Sequence, residues 1–157
     1  MRHKKVAKRE VAPDSLHNSL LVAKVINRIM RDGKKTVAEK VVYGSFDLIA
    51  AKNLDPLETL EKAISTISPK VEIKARRVGG ANYQVPIEVR GDRKTALAIR
   101  WLLEAAKARP NKDYHTFSEK LVAEILDAVD QKGEAIKKRD NMHRQAEANK
   151  AFAHFRW

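Results

Sequence analysis

Positively charged side chains are the residues of this sequence whose number and spacing point most clearly to a chemistry. Lysine and arginine together number 32 among 157 residues, against 20 acidic residues, and the formal net charge is +12. Ammonium and guanidinium groups donate charge-assisted hydrogen bonds to phosphate oxygens and displace the counterions of a polyanion. The composition therefore predicts a polyanionic partner, with nucleic acid favoured over an anionic membrane surface.

The positive charge is concentrated in three parts of the chain. Residues 1–12 carry a net charge of +4, residues 70–109 carry +6 and residues 132–157 carry +4, whereas residues 110–131 carry −3. A protein that is basic only for solubility has no reason to separate its charges in this way. The separation favours dedicated binding surfaces over a uniformly basic exterior.

The first of these regions lies within the N-terminal segment, residues 1–14. It shows little hydrophobic periodicity, so we expect a flexible arm that can lie along phosphates, although a solvated tail would have the same composition. The cations of the arm are Arg2, Lys4, Lys5, Lys8 and Arg9.

Lys34 and Lys35 follow Gly33 immediately before a predicted helix, where phosphate could also meet backbone N–H groups. A plain surface loop is an equal alternative.

A β-hairpin is predicted in the middle of the chain. Residues 71–90 alternate apolar and polar side chains on both sides of Gly79-Gly80, which is typical of two paired strands. If both apolar sets share one face, Ala75 pairs with Val85. This pairing predicts a loop of three or five residues centred near Gly80, with a bulge.

Two arginines, Arg76 and Arg77, lie just before the glycines of the hairpin. Because successive strand residues point to opposite faces, one arginine joins Lys74 and the other joins Tyr83. A tip with charge on both faces can insert between nucleic-acid elements. The alternative is an edge hairpin that carries charge only to resist aggregation.

Four aromatic residues could stack on unpaired bases, although packing in the core or against a partner protein explains them equally well. They are Tyr83, Phe152, Phe155 and Trp157.

Two predicted helices carry cations on their outer faces. Arg93, Arg100 and Lys107 recur every seven residues opposite an apolar stripe, and Lys94 adjoins the first of them. Residues 134–151 form a polar helix with a similar cationic face, made by Lys137, Lys138, Arg139, Arg144 and Lys150.

Catalytic motifs are absent from the sequence. There is no HExxH, GxSxG or Gly-rich dinucleotide motif, and cysteine is absent, so no thiolate nucleophile or disulfide can form. The stretch DGKKT at 32–36 lacks the preceding glycine and strand of a phosphate-binding loop. The acidic residues fall mostly at predicted helix caps or on helix surfaces, and the histidines show no metal-ligand spacing. We therefore expect neither enzymatic activity nor a cofactor or metal.

The remaining sequence predicts a mainly α fold. Apolar residues recur at helical spacing in six segments, and the hairpin lies between the third and fourth of them. We expect one helical domain over residues 15–157, from which the hairpin arm at 71–90 protrudes, preceded by the basic arm. No apolar run approaches the length of a membrane span, and the N-terminus lacks the apolar segment of a signal peptide.

Four stretches of the sequence carry a family resemblance. They are LLVAKVINRIMRDGKKTVAEKVVYGSFDLI at 20–49, KARRVGGANYQVPIEV at 74–89, RWLLEAAKAR at 100–109 and NKAFAHFRW at 149–157. In this order, and over essentially the whole chain, they resemble the small-ribosomal-subunit protein seven family of bacteria. One difference is Phe155, where tyrosine would be expected.

The resemblance implies a structural protein of the cytoplasmic ribosome, without a small-molecule substrate or a membrane partner. It implies a primary binder of 16S ribosomal RNA that nucleates assembly of the subunit head, with its hairpin near the exit-site transfer RNA and small-subunit proteins nine and eleven as neighbours. By the same resemblance, ribosomal RNA would contact the five cations of the arm and Lys34, Lys35, Arg76, Arg77, Arg93 and Lys94. The tip residues that would approach transfer RNA are Arg77, Gly79 and Gly80.

Two other functions fit parts of the sequence. An architectural DNA-binding protein can also use a basic β-ribbon, although Val78 is the sole candidate for a side chain that wedges between base pairs. A small enzyme would require a concave pocket with paired titratable groups.

Overall fold

The computed structural model describes residues 10–155, so the five cations of the arm between Arg2 and Arg9 lie outside the described residues. This part of the chain contains six α-helices, a C-terminal 3-10 helix (Lys150–Phe155) and one two-stranded antiparallel hairpin, which confirms the predicted fold class. The elements are α1 (Leu20–Ile29), α2 (Lys35–Ala50), α3 (Pro56–Ile67), β1 (Val71–Val78), β2 (Ala81–Glu88), α4 (Gly91–Ala108), α5 (Phe117–Val129) and α6 (Glu134–Ala148). Within residues 10–155, no helix combines the length and apolar character that crossing a bilayer requires.

Side-chain caps begin three of the helices, and the sequence predicts two of them, at Asp55-Pro56 and at the capping-box pattern Thr116–Glu119. Ser19 caps α1, and the Asp55 carboxylate accepts a hydrogen bond of 2.9 Å from the Leu57 N–H at the start of α3. At the start of α5, Thr116 and Glu119 form a capping box in which each side chain accepts from the other residue's backbone N–H. Each cap satisfies N–H groups that have no partner inside the helix.

The hydrophobic core is shared by all six α-helices. Ile26, Ile49, Leu60, Leu102 and Ile125 come from five different helices, and each is at most 1% exposed. Helix α6 adds a thin apolar stripe to the same core. The basic helices are therefore fixed to one another by burial of apolar surface, which sets the directions of their outer faces.

Two helix predictions are wrong in detail. The spacing of apolar residues predicts Val37 and Leu48 on the buried side of α2, but they are 55% and 38% exposed, because the buried stripe of that helix is Ala38, Val42, Ser45, Phe46 and Ile49. The sequence also predicts Asp92 as the cap of α4, but the helix begins at Gly91 with Arg90 in the cap position. Asp92 lies in the first turn, where a carboxylate still opposes the positive end of the helix dipole.

The predicted register of the hairpin is wrong by one residue. Ala75 pairs with Gln84, and Val85 pairs with Lys74. The turn contains two residues, Gly79 and Gly80, with φ angles of +56° and +90°. Two consecutive positive φ angles match the twist of a tight hairpin and are readily adopted by glycine, so the turn geometry sets the register instead of a shared apolar face.

A buried ion pair joins the ends of three helices. Glu124 of α5 is 1% exposed, and its carboxylate accepts hydrogen bonds of 2.9 and 2.6 Å from Nε and Nη2 of Arg109, which follows α4. The other oxygen of Glu124 accepts from the Ala135 N–H at the start of α6. Asp127 also accepts from Arg109. Burial alone would lower the pKa of Arg109, but these two carboxylates raise it above its ordinary value.

Gly133, the residue before α6, lies against the Glu124 carboxylate of this ion pair. Its φ angle is +92°, and an added Cβ would lie 2.8 Å from Oε1 of Glu124. The sequence pattern predicts that Gly133 ends α5, but the structure places it at the N-cap position of α6. A residue with no Cβ is therefore required on both conformational and steric grounds.

Replacement of Glu124 tests the importance of this ion pair. We expect Glu124→Ala to lower the free energy of unfolding by about 3 kcal/mol, because the Ala135 N–H loses its buried acceptor and Arg109 keeps only the partly exposed carboxylate of Asp127. Chemical denaturation measures the loss. The matched control is Glu104→Ala, which removes a half-exposed pair with Lys138 and should cost about 1 kcal/mol or less. Equal losses would show that Glu124 does not hold the three helices together.

Candidate nucleic-acid interface

A groove of about 700 Å³ lies between α1 and α4. Its basic side chains are Lys24 and Arg28 from α1 and Arg100 from α4, and Leu20 and Ile99 provide apolar surface beside them. Glu10 and Asp92 also line the groove. Cations beside apolar surface can bind phosphates and the flat faces of sugars or bases together.

The outer face of α4 is cationic over its length, as the spacing predicted. Arg93, Arg100 and Lys107 are all exposed, whereas Leu97, Trp101 and Leu102 on the opposite side are buried. Lys94, one residue further round the helix, is partly buried. The helix therefore presents a row of positive charge to the exterior while its other side is fixed in the core.

A buried carboxylate ties this row to the hairpin. Glu72 of β1 is 5% exposed and accepts hydrogen bonds from Nε of Arg93 at 3.0 Å and from Nζ of Lys74 at 3.1 Å. Burial alone would raise the pKa of Glu72, but the hydrogen bonds from Lys74 and Arg93 outweigh burial and lower the pKa. The Arg93 side chain is still 50% exposed, so it can orient the hairpin base and face a ligand at once.

The tip of the hairpin is solvent-exposed and carries its two arginines on opposite faces. Arg77 is exposed and pairs with Asn82, whereas Arg76 is partly buried and pairs with Tyr83. Because the register differs from the predicted one, Arg76 shares its face with both Lys74 and Tyr83. Gly79 and Gly80 at the turn are both exposed.

An aromatic cluster supports the strand behind the tip. The ring of Tyr83 lies 5.2 Å, between centroids, from both Phe152 and Phe155 of the C-terminal 3-10 helix. The sequence left open whether these rings stack on bases or pack within the protein, and the structure shows them packed together. The hairpin is thus supported by the end of the chain as well as by α6.

Lys34 and Lys35, which the sequence predicts as phosphate contacts, lie at the start of α2. Lys34 occupies the N-cap position and Lys35 begins the helix; both are exposed, and Lys35 is 3.7 Å from Glu39. No side chain caps this helix, and its first turn contains no acidic residue. A helix N-terminus of this kind favours an anion through its N–H groups and its dipole.

The described end of the N-terminal segment is anchored to α2. Asp14 is 7% exposed and accepts a 2.8 Å hydrogen bond from the Tyr43 hydroxyl as well as bonds from the Leu16 and His17 N–H groups. Burial raises the pKa of Asp14, but these hydrogen bonds outweigh it and leave the pKa below its ordinary value. The chain therefore leaves the helical body from a fixed point.

The cations of α6 differ from the prediction. Lys137 pairs with Glu134, Lys138 pairs with Glu104, and Arg139 contacts Asp140 and the Thr66 carbonyl oxygen. Their charge is therefore partly neutralised within the protein. Arg144 and Lys150 are exposed. The interface is consequently strongest on α1, α4, the hairpin and the start of α2.

The described part of the chain contains no candidate metal centre. Residues 10–155 contain no group of three histidine or acidic side chains placed to hold a metal ion. Within these residues, the groove between α1 and α4 pairs cations with apolar side chains and contains no histidine. The arrangement is suited to binding a polyanion.

Comparisons with known proteins identify the family. The sequence model described as "Ribosomal protein S7p/S5e" matches residues 1–150. The chain is 56% identical over 153 residues to small ribosomal subunit protein uS7 of Caldicellulosiruptor bescii, which covers 97% of this chain and 96% of the relative. It is 51% identical over 158 residues to the protein of the same name in Thermotoga maritima, with both chains covered in full.

The chain belongs to the ribosomal protein S7 family. The resemblance of the four sequence stretches is confirmed, and the family makes this chain a structural RNA-binding protein of the small ribosomal subunit with a role in translation. RNA is a polyanion, the class of partner that the basic composition predicts.

Two cations of the candidate interface are not among those predicted from the sequence. Lys24 and Arg28 of α1 line the groove beside α4. Their spacing of four residues places both on one side of the helix, and that signal was available. Their approach to Arg100 depends on how α1 packs on α4, which no local pattern shows.

Lys70, at the base of the hairpin, makes a pH-sensitive contact with α6. Its N–H donates a 3.0 Å hydrogen bond to Nε2 of His143, which must be unprotonated there. Burial, together with the nearby charges of Arg139 and Lys70, lowers the pKa of His143 below 6.5, although Asp140 opposes them. The unfolded chain therefore binds this proton at a higher pH than the folded chain does.

The stability that His143 contributes should be complete above about pH 6.5 and should be lost as the pH falls through the lower pKa of the folded state. We expect the difference in unfolding free energy between the wild-type protein and His143→Gln to be larger at about pH 7.5 than at about pH 5. Denaturation at the two pH values measures it. The same difference at both would contradict the neutral hydrogen-bonded histidine.

Proposed function

We propose that this protein is a primary binder of 16S ribosomal RNA that nucleates assembly of the small-subunit head in cytoplasmic ribosomes. The observation that carries the proposal is the exposed cationic surface formed by the α1–α4 groove, the outer face of α4, the hairpin tip and the start of α2. The three helices share one hydrophobic core, and the hairpin is joined to α4 through Glu72 and Arg93. A preorganised surface binds folded RNA without an added ordering cost on the protein side.

Within that proposal, cations contact RNA from three parts of the protein: the helical body, the hairpin and the N-terminal arm. Lys34, Lys35, Arg93 and Lys94 contact RNA phosphates from the body, and Arg76 and Arg77 extend the contacts along the hairpin. The basic arm adds Arg2, Lys4, Lys5, Lys8 and Arg9, and it begins from the point that Asp14 anchors. The support for this assignment is the exposure or partial exposure of the described cations and their place on elements fixed by Glu72 and the core.

The hairpin tip is proposed to approach the exit-site transfer RNA. Arg77 is exposed, and Gly79 and Gly80 leave the turn without side chains, so backbone groups can come close to a phosphate. Small-subunit proteins nine and eleven are proposed as neighbours, with α6 near protein eleven. The pairing of α6 cations within the protein supports a protein neighbour for that helix more than an RNA neighbour.

Paired substitutions test the proposed RNA surface. We expect Arg77→Ala with Arg100→Ala to weaken binding to a 16S ribosomal RNA transcript and to lower the salt dependence of binding by about 0.7–0.9 in slope for each lost phosphate contact. Filter binding over a series of salt concentrations measures both effects. Fold stability should change little, because both side chains are exposed.

The matched control is Lys52→Ala with Lys112→Ala, which removes the same charge from exposed positions outside these elements. It should leave the slope unchanged. Equal slopes for the two variants would mean that net charge, and not this surface, drives binding. If duplex DNA displaced the transcript at comparable concentration, an architectural DNA-binding role would be favoured instead.

A further inference from the structure

A second groove lies on elements that carry none of the proposed RNA contacts. It has a volume of about 430 Å³ and is formed where the start of α3 meets the end of α5. Leu54, Leu126 and Val129 provide its apolar surface, and Leu54 is 43% exposed despite being a large aliphatic side chain. We call this site the acidic groove because of the charges that surround it.

Carboxylates dominate the rim of the acidic groove. Asp55, Glu58 and Asp130 line it, and Lys62 is the one cation among its lining residues. Asp55 is held in place because its carboxylate caps α3. The rim is thus negative on a protein whose net charge is +12. Phosphate would be repelled here, whereas cationic side chains would be attracted.

We propose that the acidic groove docks a cationic segment of a neighbouring protein in the same ribonucleoprotein particle. An aliphatic side chain of that segment covers Leu54, and lysine or arginine side chains on either side pair with the carboxylates of Glu58 and Asp130. The proposal rests on the proposed function, because that function supplies a particle in which RNA and other proteins surround this chain. Charge complementarity selects protein over RNA for this face.

A photo-crosslinking experiment in assembled small subunits tests the occupant. The probe is p-benzoylphenylalanine, placed in the acidic groove instead of Leu54 and, as a matched position, in the α1–α4 groove instead of Leu20, which is 47% exposed. We expect position 54 to crosslink to a lysine- or arginine-rich peptide of another protein. We expect position 20 to crosslink to ribosomal RNA.

Charge reversal adds the specificity test. Glu58→Lys with Asp130→Lys should reduce the yield of the protein crosslink from position 54 by about tenfold or more, because like charges then face the partner. The control is Asp47→Lys with Asp113→Lys, which changes the net charge equally at exposed positions outside the acidic groove. The control should keep the yield of the parent protein.

Each of the other outcomes rejects either the docking proposal or the proposed RNA surface. A crosslink from position 54 to RNA, to a second copy of this chain or to nothing, while position 20 links to RNA, rejects the docking proposal and leaves the proposed function standing. Equal losses in the two charge-reversal variants also reject it. If position 20 fails to reach RNA while position 54 still captures a cationic peptide, the proposed RNA surface is wrong and the docking proposal survives.

Discussion

Three buried carboxylates fix the junctions on which the cationic surface depends. Among residues 10–155, Asp14, Glu72 and Glu124 are the acidic residues that are buried, and each accepts hydrogen bonds from groups on other parts of the chain. Asp14 fixes the origin of the N-terminal segment, Glu72 fixes the hairpin base to α4, and Glu124 joins α4, α5 and α6. Glu72 and Glu124 pair with cations, so removal of either partner there leaves a charge that burial makes costly.

These pairs also explain how a protein with so large a net charge keeps a defined shape. Repulsion between like charges opposes folding, and the exposed arginines and lysines of α4 lie close together along one helix. The apolar core holds the helices, while Glu72 and Glu124 pair with the cations nearest to them. Arg77, Arg100 and Lys107 stay exposed to solvent, where RNA phosphates can neutralise them.

Local patterns in the sequence predicted much of the fold. Helical periodicity located six helices, and Asp55 and Thr116 marked two helix starts correctly because capping depends on a few neighbouring residues. The hairpin was located, but its register was wrong because two alternating strands allow two registers, and the backbone of Gly79 and Gly80 selects between them. The sequence contains Gly79 and Gly80 at the tip, but it does not show that these two residues alone form the turn.

The candidate site was predicted less completely, for a physical reason. The sequence identified Arg93 and Arg100 as exposed cations of α4, since their spacing is a property of one helix. It could not show that Glu72 is buried beneath Arg93, or that Lys24 faces Arg100 across a groove, since both depend on packing between elements. The acidic groove was missed likewise, because its leucines and carboxylates come from distant segments.

Lysine footprinting on the complex with a 16S ribosomal RNA transcript shows which face of the protein the RNA covers. An amine-reactive reagent, read by mass spectrometry with and without RNA, compares lysines on the proposed surface with exposed lysines elsewhere. We expect RNA to protect Lys24, Lys34 and Lys107 and to leave Lys52, Lys62 and Lys112 reactive. Equal protection of both sets, or protection of the second set alone, would contradict binding through the cationic surface.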